Sequence, residues 1–480
     1  MTFIDKLQIL NSIKKFKENF LWALAATSAL FLVFFRARWA LNPGLYDDQC
    51  YLEWLHKFLL LPYPKCYSAS HLPGVAIQWI PAGLLAKLLA QASSLPFSQW
   101  LHPLIGLETF ATWGVSLILL QKIFFKMDLP FSESKKMALL FLLNLPALEF
   151  LTQFNFTTVG GEIALSSLLL YLILSQRWLL ALISATLLNL TRINDPLAFL
   201  LIGGALWDLI QVNKLLLSDK LKMALVSSLA VLAIAALAFI LYVGLVTGYN
   251  GVFIYHLLPR LHPYRWWRCL FMGGWGLFWT APGGILAFVF SCFYWRKLSW
   301  LARAGLLWVF SEIALIVVLN ELRSDYTNPP WRYIIGSLIG IIPALVEIAK
   351  KLSLPLRKAF YFGSVFLAIW QVYLAFVTHS FTILRYWKIA RWVDDWSLMH
   401  YVYLLRDPLD LIKMLYAAPL GFTLFSWGKN WPYFQKYHAY SKYAVEGPSL
   451  YLLTLSAILA LLILIPYLLN KLPRKPTEML

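Results

Sequence analysis

Two adjacent carboxylates, Asp47 and Asp48, open the run Asp47-Asp48-Gln49-Cys50-Tyr51-Leu52-Glu53-Trp54, about ten residues beyond the first long apolar stretch. One such group can take a proton from a hydroxyl or amine while its neighbour tunes its pKa or binds a cation, and both tasks need an ionised carboxylate near the lipid interface. A solvated loop turn is the plainer account of the same pair. Glu162 follows Thr157, Thr158, Gly160 and Gly161 and is expected at the start of a helix, where a carboxylate often serves only the helix dipole. Arginines then recur in three polar segments. Arg192 lies in Asn189-Leu190-Thr191-Arg192-Ile193-Asn194-Asp195-Pro196 and reads either as a snorkelling anchor or as a phosphate ligand. Arg265 and Arg268 lie in His262-Pro263-Tyr264-Arg265-Trp266-Trp267-Arg268, and Arg332 and Tyr333 close a turn that begins at Asn320. The planar guanidinium fork makes two parallel charge-assisted bonds, so these segments suit an anion such as phosphate.

The elements that must position these residues are apolar. Of the 480 residues 60% are hydrophobic and 13% charged, against about one quarter charged in an average soluble domain. Apolar runs of about 17 to 22 residues recur along the chain, each long enough to cross about 30 Å of hydrocarbon as a helix. This predicts an all-α, polytopic membrane protein. Aromatic residues, 16% of the chain, crowd the ends of the runs, where rings sit among headgroups. The net charge of +18 is divided among small clusters between apolar runs, which speaks against a nucleic-acid face and for topology signals. The first run follows Lys14, Lys15 and Lys17 without a cleavage site, so a retained anchor with no soluble domain before it is expected. Cys50 and Cys66 share one loop on the expected oxidising side, where a local disulfide and two free thiols are both open; Cys269 and Cys292 carry no ligand spacing.

With the amino terminus inside, spans are predicted near 19–35, 104–121, 137–154, 161–176, 178–190, 196–212, 222–246, 274–295, 301–319, 333–349, 359–378 and 449–468, about twelve helices. The inner connections then carry Lys122, Lys126, Lys135 and Lys136; Arg177; Lys214, Lys220 and Lys222; Arg296, Lys297 and Arg303; Lys350, Lys351, Arg357 and Lys358; and Lys471, Arg474 and Lys475. Short cytoplasmic loops favour Lys and Arg, so the alternation supports the threading. It requires the run Pro73 to Gln91, with Pro81 and Lys87 in its middle, to lie in the interface or to dip and return. The outer side receives a first loop of about 36–103 and a segment from His379 to Pro448, expected to form a partly helical cap. The expected organisation is a core over 1–378, the cap over 379–448, and a last span with a cytoplasmic tail over 449–480.

In layout the chain resembles the membrane glycosyltransferases of the GT-C fold, in the branch of protein O-mannosyltransferases and aminoarabinose transferases. Asp47-Asp48-Gln49-Cys50-Tyr51 resembles the family's acidic motif after the first span, with Asp where Glu is usual at the second place. His71-Leu72-Pro73-Gly74 resembles its proline-bearing helix start, reduced from a double proline; Thr191-Arg192 and Arg332-Tyr333-Ile334-Ile335 resemble two later patterns. The similarity covers about the first 350 residues in order. It implies an inverting transfer of sugar from a polyprenyl-phosphate or dolichyl-phosphate donor to a glycan, lipid or protein acceptor at the outer face. It also implies a bacterial inner-membrane setting, with both termini cytoplasmic and the active site periplasmic. Asp47 would be the base, and Asp48, Tyr51, His71, Glu162 and Tyr333 would contact sugar or acceptor. Arg192, Arg265, Arg268 and Arg332 would hold the donor phosphate. The first loop lacks D-x-D, so a divalent metal is compatible with the layout but not indicated, and no other cofactor is expected. The rival readings are a transporter or flippase for a lipid-linked or anionic substrate, and a lipid-carrier polymerase or ligase of another fold. A transporter would place charges near the bilayer midplane and show repeated halves. Here the midspan charges noted are Glu149, Glu312 and Glu347, without a repeat.

Overall fold

The computed structural model describes residues 18–30, 47–62, 73–93, 95–147, 158–191, 196–212, 270, 277–319 and 334–386, and among these all regular structure is helical, without a strand. Helix α1 occupies 18–30. The stretch between α1 and the long helices supplies α2 (Asp47–Phe58), α3 (Gly74–Gln78) and α4 (Ile80–Ala92). The bundle continues with α5 (Phe97–Lys126), α6 (Phe131–Asn144), α7 (Thr158–Leu174), α8 (Trp178–Thr191) and α9 (Phe199–Val212). It resumes with α10 (Leu277–Thr280), α11 (Pro282–Phe293), α12 (Trp300–Leu319), α13 (Ile335–Ile339), α14 (Ile342–Lys351) and α15 (Leu354–Tyr386). The spans predicted at 222–246 and 449–468, and the cap beyond Tyr386, lie outside the described residues.

Proline explains where the helices depart from the predicted spans. The span predicted over 137–154 instead starts at Phe131, directly after Pro130, and stops at Asn144, because Pro146 drives Leu145 to an extended ψ of 141°. The span predicted over 333–349 is broken into α13 and α14 ahead of Pro343, which cannot donate to the preceding turn. Pro81 likewise divides the interfacial run into α3 and α4 at Trp79, and Pro282 divides α10 from α11. Leu104–Lys126 is the described helix whose length and composition suffice to cross a membrane, and several shorter apolar helices of 10–17 residues accompany it.

Among the described residues two hydrophobic cores result. The larger joins α1 and α5–α14 around Trp113, Leu117, Phe124, Ile163 and Trp308. The smaller closes α2, α3, α4 and the start of α5 around Leu55, Trp79, Ala86 and Ile105. Contact between helices relies on small residues: a Cβ on Gly305 of α12 would meet the Gly340 carbonyl oxygen, so these two backbones approach as only glycine permits.

The basic connections gather at one end. Lys350 pairs with Asp128 at 3.0 Å and Lys351 donates to the Lys297 carbonyl at 2.5 Å, joining three separate turns. Arg303 donates to the carbonyls of Trp295 and Arg296, while Lys122 and Lys126 lie over the Tyr171 ring at 5.5 and 5.8 Å. The turns around Asp128, Lys297 and Lys350 therefore meet one another.

Candidate functional site

At the end away from the basic turns, four segments distant in sequence converge. Helix α3 lies across the end of α8: a Cβ on Gly74 would fall 2.3 Å from the Leu190 carbonyl carbon and the Thr191 nitrogen. The Gln78 amide then donates to Thr191 Oγ1 at 2.9 Å, and Thr191 Oγ1 donates to the Leu187 carbonyl at 2.8 Å. Gly161 of α7 leaves the space that the Gln78 amide fills. One turn deeper, the Gly336 backbone N–H of α13 donates to Glu162 Oε1 at 2.7 Å. Ser166 is buried beside the same glycine, and Ser337 donates to the Ile334 carbonyl at 3.0 Å.

This placement corrects the expectation for Glu162. The helix begins at Thr158, so Glu162 sits in its second turn, wholly buried, rather than at the helix start. Its carboxylate serves the start of α13, a helix that is 174 residues away in sequence. Burying a carboxylate is costly unless it is hydrogen-bonded, and an unpaired N–H in the first turn of α13 supplies such a partner.

Tyr51 is buried in the smaller core, its ring edge-on to Trp79 at 5.9 Å and 85°. Asp47 and Asp48 form the first residues of α2, which the Lys87 ammonium fastens at its other end through the Leu59 carbonyl at 3.0 Å. Lys87 therefore has a structural use in α4. His71, Arg192, Arg265, Arg268, Arg332 and Tyr333 lie outside the described residues, as does Cys66. Their chain neighbours Thr191 and Ile334 belong to the convergent end: Thr191 meets Gln78, and Ile334 directly precedes the α13 start held by Glu162.

Gln78, Ser166 and Glu108 were not anticipated from sequence. Glu108 lies within the long apolar helix and accepts the Ala82 backbone N–H in the first turn of α4. A single amide in Val75-Ala76-Ile77-Gln78-Trp79-Ile80 and a single carboxylate in Leu107-Glu108-Thr109-Phe110 were the available signals. Of the midspan charges noted, Glu312 is buried in α12, whereas Glu347 lies beside the basic end and accepts the Ser299 N–H and hydroxyl at 3.0 and 2.5 Å. Glu149 lies outside the described residues. Among the described residues no group of three or more His, Cys, Asp and Glu is placed to hold a metal ion.

No family model, curated protein or solved structure matches this chain.

Proposed function

We propose that this is a multi-pass membrane protein that transfers a sugar from a polyprenyl-phosphate-linked donor to a lipid, glycan or protein acceptor at the outer face. The observation that carries the reading is the convergence of α3, α7, the end of α8 and the start of α13 opposite the basic turns. Three of these segments adjoin motif residues: Gly74 follows His71-Leu72-Pro73, Thr191 precedes Arg192, and Ile334 follows Arg332-Tyr333. Asp47 and Asp48 begin a helix, α2, whose later turns pack with α3 and α4. The glycine-mediated contact of Gly305 with Gly340 further supports a bilayer setting, where small residues drive helix association.

In this reading the acceptor oxygen or nitrogen attacks the anomeric carbon while the bond from that carbon to the phosphate oxygen breaks. Its proton passes to Asp47, configuration inverts, and polyprenyl phosphate leaves with its charge held by arginine. Arg192, Arg265, Arg268 and Arg332 are the proposed phosphate ligands; Asp48, Tyr51, His71, Glu162 and Tyr333 are proposed to orient sugar and acceptor or to hold the helices that do. Positioned proton removal is worth about 10²- to 10⁴-fold in rate.

The test is sugar transfer by the purified protein from a lipid-phosphate donor. Asp47→Asn keeps size and most hydrogen bonds but loses the basic carboxylate, so turnover should fall at least about 10²-fold while donor affinity survives. Asp48→Asn should act mainly on apparent affinity. Full turnover in Asp47→Asn removes the catalytic assignment, and uptake of a labelled lipid-linked or anionic substrate without any glycosylated product replaces it with transport.

A further inference from the structure

A second feature lies at the basic end, away from the proposed transfer site. A cleft of about 970 Å³ runs between α6, α11, α14 and α15. Its walls are almost wholly apolar, including Met137, Leu140, Phe141, Leu286, Phe290 and Leu345. Phe362, also in the lining, is 69% exposed, so the cleft is bordered by the outer surface of α15. Its mouth has the opposite character: Lys136, Lys350, Arg357 and Lys358 face Asp128 and Glu133. Asp128 is already committed to Lys350 at 3.0 Å. Lys136 and Lys358 make no ion pair with any described residue.

The cleft has a floor. Gly283 lies against the Asn144 amide, whose nitrogen donates to the Ser364 carbonyl at 3.0 Å and ties α6 to α15. From Lys136 at the mouth to Asn144 at the floor is eight residues of α6, about 12 Å at 1.5 Å per residue. Lys358 to Leu367 on α15 spans a similar length. One leaflet contributes about half of the 30 Å hydrocarbon thickness, so the cleft is one leaflet deep. Its volume lies at the upper end of the roughly 300–1,000 Å³ of small-molecule sites.

We infer that this cleft holds an anionic glycerophospholipid of the inner leaflet, with its acyl chains against α6 and α15 and its phosphate between Lys136, Arg357 and Lys358. The inference rests on the membrane reading above but not on sugar transfer. Charge complementarity selects the headgroup, because the mouth offers cations without carboxylate partners while the interior offers almost nothing polar. Depth selects the tail, because a chain much longer than one leaflet would meet the floor at Asn144 and Gly283.

The full-length protein, purified in mild detergent and stripped of lipid, should be titrated with phosphatidylglycerol and phosphatidylcholine by native mass spectrometry. Phosphatidylglycerol should bind more tightly, and Lys136→Ala with Lys358→Ala should weaken it about fivefold per lysine, about 25-fold together, bringing the two lipids close to parity. Lys136→Arg with Lys358→Arg should retain the preference. Ala287→Trp, which fills the cleft, should reduce binding of both lipids. Because both lysines are exposed, the melting temperature of the double alanine variant in lipid-free detergent should match the parent. Equal binding of the two lipids by the parent protein, an unchanged preference in the double alanine variant, or displacement of phosphatidylglycerol by equimolar polyprenyl phosphate would overturn the inference. Asp47→Asn should bind phosphatidylglycerol as the parent does, whether or not it transfers sugar.

Discussion

The two ends of the bundle use one device at different depths. At the end away from the basic turns Glu162 of α7 accepts the Gly336 N–H at the start of α13, in a fully buried setting. At the basic end Asp208 of α9 accepts the N–H groups of Trp300 and Leu301, both at 2.8 Å, at the start of α12. Each carboxylate does for a neighbouring helix what an N-cap side chain usually does for its own. Asp208 takes two such bonds, yet depth rather than number sets the importance of the two carboxylates. Water can replace Asp208 at a half-open helix start, whereas nothing replaces Glu162 in the core.

That comparison is broken or sharpened by four substitutions. Glu162→Ala should have the largest effect, about 3–5 kcal/mol, because it leaves both a cavity and a buried helix start without its acceptor. Denaturation of the purified protein in detergent measures it; a loss below about 1 kcal/mol would show that the buried carboxylate is dispensable to the fold. Gly74→Ala should follow, at about 1–3 kcal/mol, because the new methyl must push α3 away from the backbone at Leu190 and Thr191. Crosslinking between cysteines placed on α3 and α8 should detect the separation. Asp208→Ala should cost about 1–2 kcal/mol, partly restored by Asp208→Asn, as expected of a half-exposed cap. Lys350→Ala removes a surface pair whose partner Asp128 is 85% exposed, and should change stability by less than about 1 kcal/mol, with that change vanishing in high salt.

The fold was legible in proportion to how far apolar length determines it. The spans predicted at 161–176, 178–190, 196–212 and 301–319 fall within a few residues of α7, α8, Pro196–Val212 and α12. Prolines were visible in the sequence, but their effect on 137–154 and 333–349 was underestimated, since apolar content continues smoothly across Pro146 and Pro343. The site was less legible. That Thr191 and Glu162 lie away from the basic turns followed from the alternation of Lys and Arg. Their partners did not, because Gln78 meets Thr191 across 113 residues and Glu162 meets Gly336 across 174, separations that no local pattern encodes. Glu108 illustrates the remaining gap: it takes a backbone N–H from a helix that sequence reasoning had drawn as one piece, so the vacant donor at Ala82 was not anticipated.

Helix α15 has 33 residues, a rod of about 50 Å. Upright in a bilayer it would exceed the hydrocarbon by about 20 Å, and even at a tilt of about 40°, the limit usually seen, it would cover about 38 Å of vertical distance against about 30 Å available. In that setting its far end near Tyr386 stands clear of the hydrocarbon, as a mast does of a deck. The base of the mast is stepped against α6 and α11, while Phe362 and Phe366 on its flank remain uncovered. Its rake is thus set by the packing in its lower half, and a few degrees of change there would swing the upper end by several ångströms.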